Sequence, residues 1–153
     1  MKKEKVELLL KSARDSFLER DTDLLMMNAN ERSLTHKFAE YMQNILKKDS
    51  NWNVDCEYNR DGSNPKIISN IKYIIGQTIA TDDITAVTVY PDIIVHKRGP
   101  KGPNVIIIEA KKDNNQGNDI EKIKAIKNEY GYKYGIFLKF DTNKKDISWI
   151  FVD

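Results

Sequence analysis

Cysteine is nearly absent from this sequence: Cys56 is the only one among 153 residues. A single cysteine cannot form a disulfide within the chain, so we expect a reducing, cytoplasmic setting. The sequence also has only two histidines, and two histidines with one cysteine cannot make a zinc site of the usual type. We therefore expect neither disulfide bonding nor zinc.

Long apolar runs are missing as well. The longest contain about five residues, whereas a helix that spans a bilayer needs about 20. The N-terminal stretch MKKEKVELLLKSARD has a short leucine cluster, but charges alternate with it and no cleavage site follows, so it does not predict a signal peptide. We expect no membrane partner. Neither G-x-x-x-x-G-K-[ST] nor G-x-G-x-x-G is present, so we do not expect ATP hydrolysis.

An excess of charge of one sign is also lacking, because 25 basic residues face 23 acidic ones for a net charge of +2. This balance argues against binding to nucleic acid through bulk charge alone. One segment departs from it: HKRGPKG, residues 96–102, contains Lys97, Arg98 and Lys101 and no acid. These residues fit a contact with a phosphate backbone, and they fit a solvated turn equally well.

What the sequence does contain is an ordinary globular composition, 40% hydrophobic and 31% charged, which predicts one domain over residues 1–153. Apolar periodicity predicts helices over Lys3 to about Arg20, over residues 31–48 after an N-cap at Asn30, and over residues 118–131, closed by Gly131. Strands are expected near residues 52–58, 85–96, 105–111, 132–140 and 146–153. Residues 61–83 fit a short helix or an extended stretch. This order predicts a mixed sheet with helices packed on it.

Two of these strands carry acids at unexpected places. In VYPDIIVHKRGPKGPNVIIIEAKK, residues 89–112, Asp92 opens one apolar run and Glu109 closes the next. Lys111 comes two residues after Glu109 and so shares its face of the strand. Counting outward from the turn, Asp92 lies farther away than Glu109. We therefore expect that a bend at Pro91, or splayed strands, must bring the two acids together.

Two carboxylates that meet at one point repel each other, and a shared divalent cation relieves the repulsion. Oxygen ligands of this kind suit Mg²⁺ or Mn²⁺. A lysine on the same face stabilises a phosphate or orients an attacking water, a set that suits metal-assisted hydrolysis of a phosphodiester. Acids and lysines are common, so the same triplet also fits a strand with no catalytic role.

The pair Pro91–Asp92, followed by Glu109, Ala110 and Lys111, resembles the motif of the PD-(D/E)XK nuclease superfamily, which includes restriction endonucleases and Holliday-junction resolvases. The predicted elements around it resemble the αβββαβ core of that family over residues 30–140. Residues 1–27 are then an N-terminal helical extension, and the last strand is a further addition. The implied fold is α/β, with a restriction-endonuclease-like mixed β-sheet flanked by helices.

By this resemblance, a Mg²⁺ or Mn²⁺ ion is held by Asp92, Glu109 and the backbone carbonyl of Ala110. Lys111 then positions or activates the water and stabilises the developing negative charge. Many family members add a glutamate from the helix before the sheet. Glu31 fits, because it extends the core-facing stripe of that helix, although an acid in a first helical turn is also favoured by the helix dipole.

The implied function is metal-dependent hydrolysis of phosphodiester bonds, with DNA as the expected substrate. Double-strand cleavage requires a second active site and hence a homodimer, for which the helix of residues 3–20 is either an interface or only a cover for the core. A catalytically silent module of the same fold, binding nucleic acid or a protein, is the alternative. A plain structural domain without a site ranks last.

Further residues are candidates for contact with nucleic acid. The basic hairpin supplies Lys97, Arg98 and Lys101, the end of the first strand supplies Arg60, and the loop after the Glu109 strand supplies Gln116. Gln116 fits a plain loop amide as well. We do not expect Glu57 at the metal, because strand alternation puts it opposite Val54, Cys56 and Tyr58.

Overall fold

Helical and extended segments alternate along the chain. The computed structural model describes residues 1–47, 51–58, 60–61, 64–65, 67–68, 87–88, 90–99, 102–113 and 117–153. The helices in these ranges are α1 (Lys3–Arg20), α2 (Thr22–Met26), α3 (Glu31–Leu46) and α4 (Asp119–Tyr130). The strands are β1 (Asn53–Cys56), β2 (Arg60–Asp61), β3 (Asn64–Pro65), β4 (Ile67–Ile68), β5 (Val87–Thr88), β6 (Ile93–His96), β7 (Asn104–Lys112), β8 (Tyr134–Asp141) and β9 (Asp146–Val152).

Five strands form one mixed sheet in the order β1-β6-β7-β8-β9. The pairs β1–β6, β6–β7 and β8–β9 are antiparallel, and β7–β8 is parallel. Helix α4 makes the crossover that a parallel pair requires. The strands β2 and β3 pair with each other, as do β4 and β5, each forming a short two-stranded ribbon. The protein is thus mixed α/β, with a central sheet flanked by helices.

Helices cover both faces of this sheet. One hydrophobic cluster joins α1 and α3 to the first face and contains Phe17, Phe38 and Phe140. A second cluster joins α4 to the other face and contains Ile107 and Ile123. A strand covered on both faces is apolar along its whole length, as β7 is from Val105 to Ile108. Each large side chain buried in this way contributes roughly 1.5–3 kcal/mol, which helps to offset the cost of the buried charges described below.

Several predicted elements are confirmed. Helix α1 has the predicted bounds, and Asn30 caps α3, because its side chain accepts the Ser33 N–H at 2.8 Å. Gly131 closes α4 with a left-handed backbone at φ 64°, a conformation that glycine adopts without strain. The prediction left out α2, the short helix between α1 and α3.

The predicted strand over residues 85–96 is wrong in extent. Within the described residues, β6 covers only Ile93–His96 and Val87–Thr88 belongs to a separate ribbon, so Asp92 lies just before a strand rather than near the middle of one. Pro91 has no N–H to donate to a sheet, and the five-stranded pairing begins after it. Most of residues 61–83, for which we left two structures open, lies outside the described residues.

Helix α1 packs within the hydrophobic core. The stripe that the sequence predicted, Val6, Leu9, Leu10, Ala13 and Phe17, is buried in the first hydrophobic cluster. Of the two roles considered for this helix, its apolar stripe serves as the cover for the core. Across the described ranges, no helix combines the length and the apolar character needed to cross a bilayer.

Candidate active site

Asp92 and Glu109 are neighbours across the β6–β7 hairpin. The register pairs Ile93 with Ile108 and Ile94 with Ile107, so the next position places Asp92 opposite Glu109. The Ala110 N–H donates a hydrogen bond of 2.8 Å to Asp92 Oδ2. The expectation that the two acids are unequally distant from the turn was wrong. A register shift between Val95 and His96 and the loop before Asn104 make the two arms match.

Glu109 is almost completely buried. Its residue exposure is 2%, and its Oε1 has no hydrogen-bond partner among the residues that the structure describes. Its Oε2 lies 2.7 Å from Nζ of Lys122, which reaches down from α4. Burial and the nearby Asp92 carboxylate raise the pKa of Glu109 to about 8, against the lowering effect of Lys122. The carboxyl group therefore has an oxygen that a further cation or donor could satisfy.

Asp92 shares this environment in a milder form. Burial raises its pKa, while the Ala110 N–H and the ammonium groups of Lys122 and Lys111 work in the opposite direction. A carboxyl group that is desolvated yet surrounded by donors holds a negative charge at a cost, and a cation bound to it recovers that cost.

Lys111 lies between carboxylates from two helices. Its Nζ is 3.6 Å from Glu31 Oε1, in the first turn of α3, and 3.8 Å from Asp119 Oδ2, in the first turn of α4. Burial lowers the pKa of Lys111, but the surrounding carboxylates, led by Asp119 and Glu31, outweigh it and raise the pKa overall. The ammonium group is thus firmly protonated at neutral pH. Lys111 is half-buried and keeps its charge.

Glu31 approaches the end of β7 from α3, which lies on the face of the sheet opposite to α4. Its Oε2 accepts the backbone N–H of Lys112 at 2.9 Å, which ties the start of α3 to the end of β7. The Lys112 side chain turns away from Lys111 and donates to Asn28 Oδ1 at 2.8 Å. The second glutamate of this helix, Glu40, is exposed and paired with Lys37 at 2.9 Å. Glu31 is therefore the glutamate of α3 that reaches the hairpin acids.

We call this set of side chains the acid–lysine cluster, and it consists of Glu31, Asp92, Glu109, Asp119, Lys111 and Lys122. Four carboxylates and two ammonium groups leave two negative charges uncompensated when all are ionised. The first turns of α3 and α4 both point into the cluster, and helix N-termini favour negative charge. An additional divalent cation would complete the balance.

A cavity of about 240 Å³ opens beside the cluster. It is lined by Glu31, Arg32, Thr35, His36, Glu57 and Asp92. Glu57 lines the same cavity as Asp92 although strand alternation was expected to place it elsewhere, because β1 ends at Cys56 and Glu57 adopts φ 49°, which breaks the alternation. Glu57 is paired with Arg32 at 2.7 Å. The cavity thus carries carboxylates on one side and a cationic helix face on the other.

The fit of a metal ion is supported by Asp92 and Glu109 but not by a complete ligand set. Hard carboxylate oxygens suit Mg²⁺ or Mn²⁺, and the orphaned Glu109 Oε1 is an oxygen that such an ion would satisfy. As the side chains stand, no three acidic, histidine or cysteine residues of the described ranges are gathered as metal ligands. Glu31, which we expected among the ligands, instead bonds Lys112 and Lys111.

The basic hairpin lies elsewhere. Lys97 and Arg98 follow the end of β6 that is opposite to Asp92. Arg98 is ion-paired with Asp55, and the Lys97 ammonium lies 5.0 Å from the centre of the Trp52 ring. Lys101 and Gln116 fall outside the described residues, and Arg60 is described only as part of the backbone of β2. The structure therefore does not join these nucleic-acid candidates to the acid–lysine cluster.

The prediction missed Lys122 and Asp119. A signal for both was present: Lys122 lies four and Asp119 seven residues before Ile126, and Ile126 belongs to the buried stripe of α4. Charged residues on the buried stripe of a helix are unusual unless they are paired. That spacing marks both side chains as facing the sheet, although it does not name their partners.

Comparisons with known proteins add no relative. A scan against protein-family models, a search of curated proteins and a search of solved structures each found no match to this chain.

Proposed function

We propose that this protein is a metal-dependent nuclease with a restriction-endonuclease-like fold, hydrolysing phosphodiester bonds, with DNA as the expected substrate. The observation that supports this most is the meeting of the motif residues Asp92, Glu109 and Lys111, with Glu31, at one end of the hairpin. The element order α3, β1, β6, β7, α4, β8 agrees with the αβββαβ core that the motif implies. Helix α1 and strand β9 are the additions.

In this proposal Asp92, Glu109 and the Ala110 carbonyl hold Mg²⁺ or Mn²⁺. When bound, such an ion makes a coordinated water more acidic and polarises the phosphate. Lys111 is held protonated by Asp119 and Glu31, so its role is to donate hydrogen bonds and to stabilise negative charge rather than to accept a proton. Glu31 orients Lys111 and closes the site from the α3 side.

The substrate phosphate would enter through the cavity beside Asp92 and Glu31. Arg32 and His36 stand one turn apart on its wall and supply donors for a phosphate oxygen. The small net charge predicts modest binding to undamaged duplex DNA. A homodimer is part of the proposal for double-strand cleavage, and the cytoplasm stays the expected compartment from the single cysteine.

A cleavage assay tests the proposal. Linear, nicked, branched and single-stranded DNA, and RNA, are incubated with the protein in Mg²⁺, in Mn²⁺ and in EDTA. We expect cleavage of at least one DNA form with either metal, none in EDTA, and loss of cleavage in Asp92→Ala and Lys111→Ala. Lys124→Ala, which removes an exposed charge from α4, serves as the matched control. Cleavage that survives both site substitutions overturns the mechanism.

A catalytically silent module is the second candidate, and one observation favours it. Glu109 already has an internal partner in Lys122, and Glu31 is occupied by Lys112 and Lys111. A protein of this kind would bind DNA with the same affinity in EDTA and in Mg²⁺ and would cleave none of the substrates. Binding measured by fluorescence anisotropy in both buffers, beside the cleavage assay, separates the two functions.

A further inference from the structure

Lys122 is the strongest unexplained feature of the acid–lysine cluster. Its ammonium lies 2.7 Å from Glu109 Oε2 and 3.4 Å from the Tyr90 carbonyl oxygen. Glu109 is 2% exposed, so its carboxylate is shielded from water that could otherwise take the place of the ammonium. The motif gives Lys122 no role, because it belongs to α4, beyond the hairpin that carries the motif.

A buried carboxylate without a counter-charge is strongly destabilising. In the metal-free protein Lys122 supplies that counter-charge at one oxygen, and the other oxygen has no partner. A divalent cation bound to Glu109 would stand within a few ångströms of the Lys122 ammonium. At such a separation two like charges repel each other at the effective dielectric constant of a protein surface. The ammonium and the metal ion are therefore competitors for the same carboxylate.

The Lys122 side chain also has a second position available when a metal ion displaces its ammonium group. Its side chain is about one quarter exposed, so its ammonium has access to solvent. Asp119 lies one turn earlier on the same helix, and its carboxyl group already feels the Lys122 charge. A displaced ammonium could thus move outward along α4 without becoming buried and unpaired.

On the basis of the proposed function, we infer that Lys122 is an internal substitute for the metal ion, which holds Glu109 in the metal-free protein and withdraws when the ion binds. The residue then sets the metal affinity of the site. Mg²⁺ binding is about tenfold weaker than it would be without this lysine, because each ion must displace an ammonium group that is covalently tethered beside its ligand.

The test compares Lys122→Met, which keeps the length of the side chain and removes its charge, with Lys124→Met as the matched control. Lys124 lies on the same helix in an exposed pair with Glu121 at 3.8 Å. Mg²⁺ binding is measured by isothermal titration calorimetry at one fixed pH. We expect Lys122→Met to bind Mg²⁺ about tenfold more tightly than the wild type, and Lys124→Met to bind as the wild type does.

A second measurement needs no substitution. Lysine side chains of the wild type are acylated with an N-hydroxysuccinimide ester, with and without Mg²⁺, and the labelled peptides are quantified by mass spectrometry. A released Lys122 ammonium reacts several-fold faster in Mg²⁺, while Lys124 reacts at an unchanged rate. This readout stands even if Lys122→Met does not fold, which circular dichroism will reveal.

The outcomes separate the two proposals. Equal or weaker Mg²⁺ binding by a folded Lys122→Met, or Lys122 labelling that does not respond to Mg²⁺ in a wild type that binds it, overturns the role of Lys122 and leaves the nuclease proposal standing. Failure of the wild type and of Lys122→Met to bind either Mg²⁺ or Mn²⁺ overturns the metal site, and the role of Lys122 with it.

Discussion

The two ends of strand β6 each gather a shielded carboxylate, and they compensate it in different ways. At the His96 end, Asp55 Oδ2 lies 2.7 Å from His96 Nε2, and Arg98 pairs with the same carboxylate. At the Asp92 end, Glu109 has one cationic partner and an orphaned oxygen. Burial raises the pKa of Asp55, but the opposing effect of His96 and Arg98 is larger and lowers this pKa to about 2. The pKa of Glu109, in contrast, is raised to about 8.

This difference distinguishes a polar group that serves the fold from one that serves a site. Asp55 has enough partners to keep its charge at every physiological pH, and its side chain is 14% exposed. Glu109 is more deeply buried and less well compensated, so its charge costs free energy of folding. Such incompletely compensated groups are expected where a ligand completes the balance. The following predictions test this contrast, beginning with the largest expected effect.

Lys111→Ala should abolish cleavage while Asp55→Asn should leave it within about twofold. Removal of a charge that stabilises the developing oxyanion typically lowers kcat by about 10²–10³-fold, whereas the Asp55 carboxylate is bonded to His96 and Arg98, which lie outside the acid–lysine cluster. The measurement is kcat on the best DNA substrate in saturating Mg²⁺. A loss of activity in a folded Asp55→Asn that matches the loss in Lys111→Ala would make both ends part of one site.

Glu109→Gln should stabilise the metal-free protein, and increasingly so as pH rises. The pKa of Glu109 is about 8 in the folded protein against an ordinary value of 4.5. Because the folded value is the higher one, the stability that Glu109 contributes is complete below pH 4.5 and is lost as pH rises through 8. The gap in unfolding free energy between Glu109→Gln and the wild type should therefore widen by roughly 4 kcal/mol from pH 4.5 to 8.5.

Urea denaturation in EDTA at several pH values measures this gap. Adding Mg²⁺ at pH 8.5 should narrow it, because the ion stabilises the ionised wild-type carboxylate and not the glutamine. If the unfolding free energies of the two proteins change in parallel with pH, Glu109 does not resist ionisation. That result would contradict the proposed difference between the two ends of β6.

Asp55→Asn should destabilise the protein with the opposite dependence on pH. The folded pKa of Asp55, about 2, is lower than its ordinary value of 3.8, so the stability that Asp55 contributes is present above pH 3.8 and is lost as pH falls through 2. The substitution should cost about 2 kcal/mol at pH 7 and much less at pH 2.5. Urea denaturation at these two pH values is the measurement, with Asp146→Asn, an exposed partner of Arg14, as the control.

The regular elements were predictable because their burial is periodic. The stripe of α1 and the cap of α3 were read directly from the order of apolar and polar residues, as was the strand β7. The first residue of β6 was not predictable, because the β-branched sequence also extends before it, and Val87–Thr88 of that sequence belongs to a separate ribbon. We predicted that Pro91 bends a strand, whereas the pairing of β6 in the sheet begins after this residue.

The site was predictable only where its residues lie on one hairpin. Asp92, Glu109 and Lys111 follow from strand alternation and a motif, and Glu31 from the stripe of its helix. Lys122 and Asp119 approach from α4 through a crossover, so their contacts depend on tertiary packing that no local spacing encodes. The position of Glu57 at the cavity was not predicted, because its own backbone angle, φ 49°, interrupts the alternation of side chains that assigned it to another face.

Arg32→Ala should give the smallest effect, a loss of DNA binding without a loss of stability. Arg32 is 74% exposed and pairs with Glu57 at 2.7 Å, and exposed ion pairs of this kind contribute about 0–1 kcal/mol. Arg32 nevertheless lines the cavity beside Asp92, so a phosphate can replace Glu57 as its partner, and the dissociation constant should rise about fivefold.

The matched control is Lys37→Ala, which removes the same charge from the same helix but from an exposed pair with Glu40. Both substitutions are made in the Lys111→Ala background, which prevents cleavage, and binding is followed by fluorescence anisotropy. Equal weakening of DNA binding by the two substitutions would assign the effect to net charge and would contradict the proposal that the substrate enters through the cavity. Weakening by Arg32→Ala alone would locate the substrate at the Asp92 end of β6, because Arg32 lines the cavity beside Asp92.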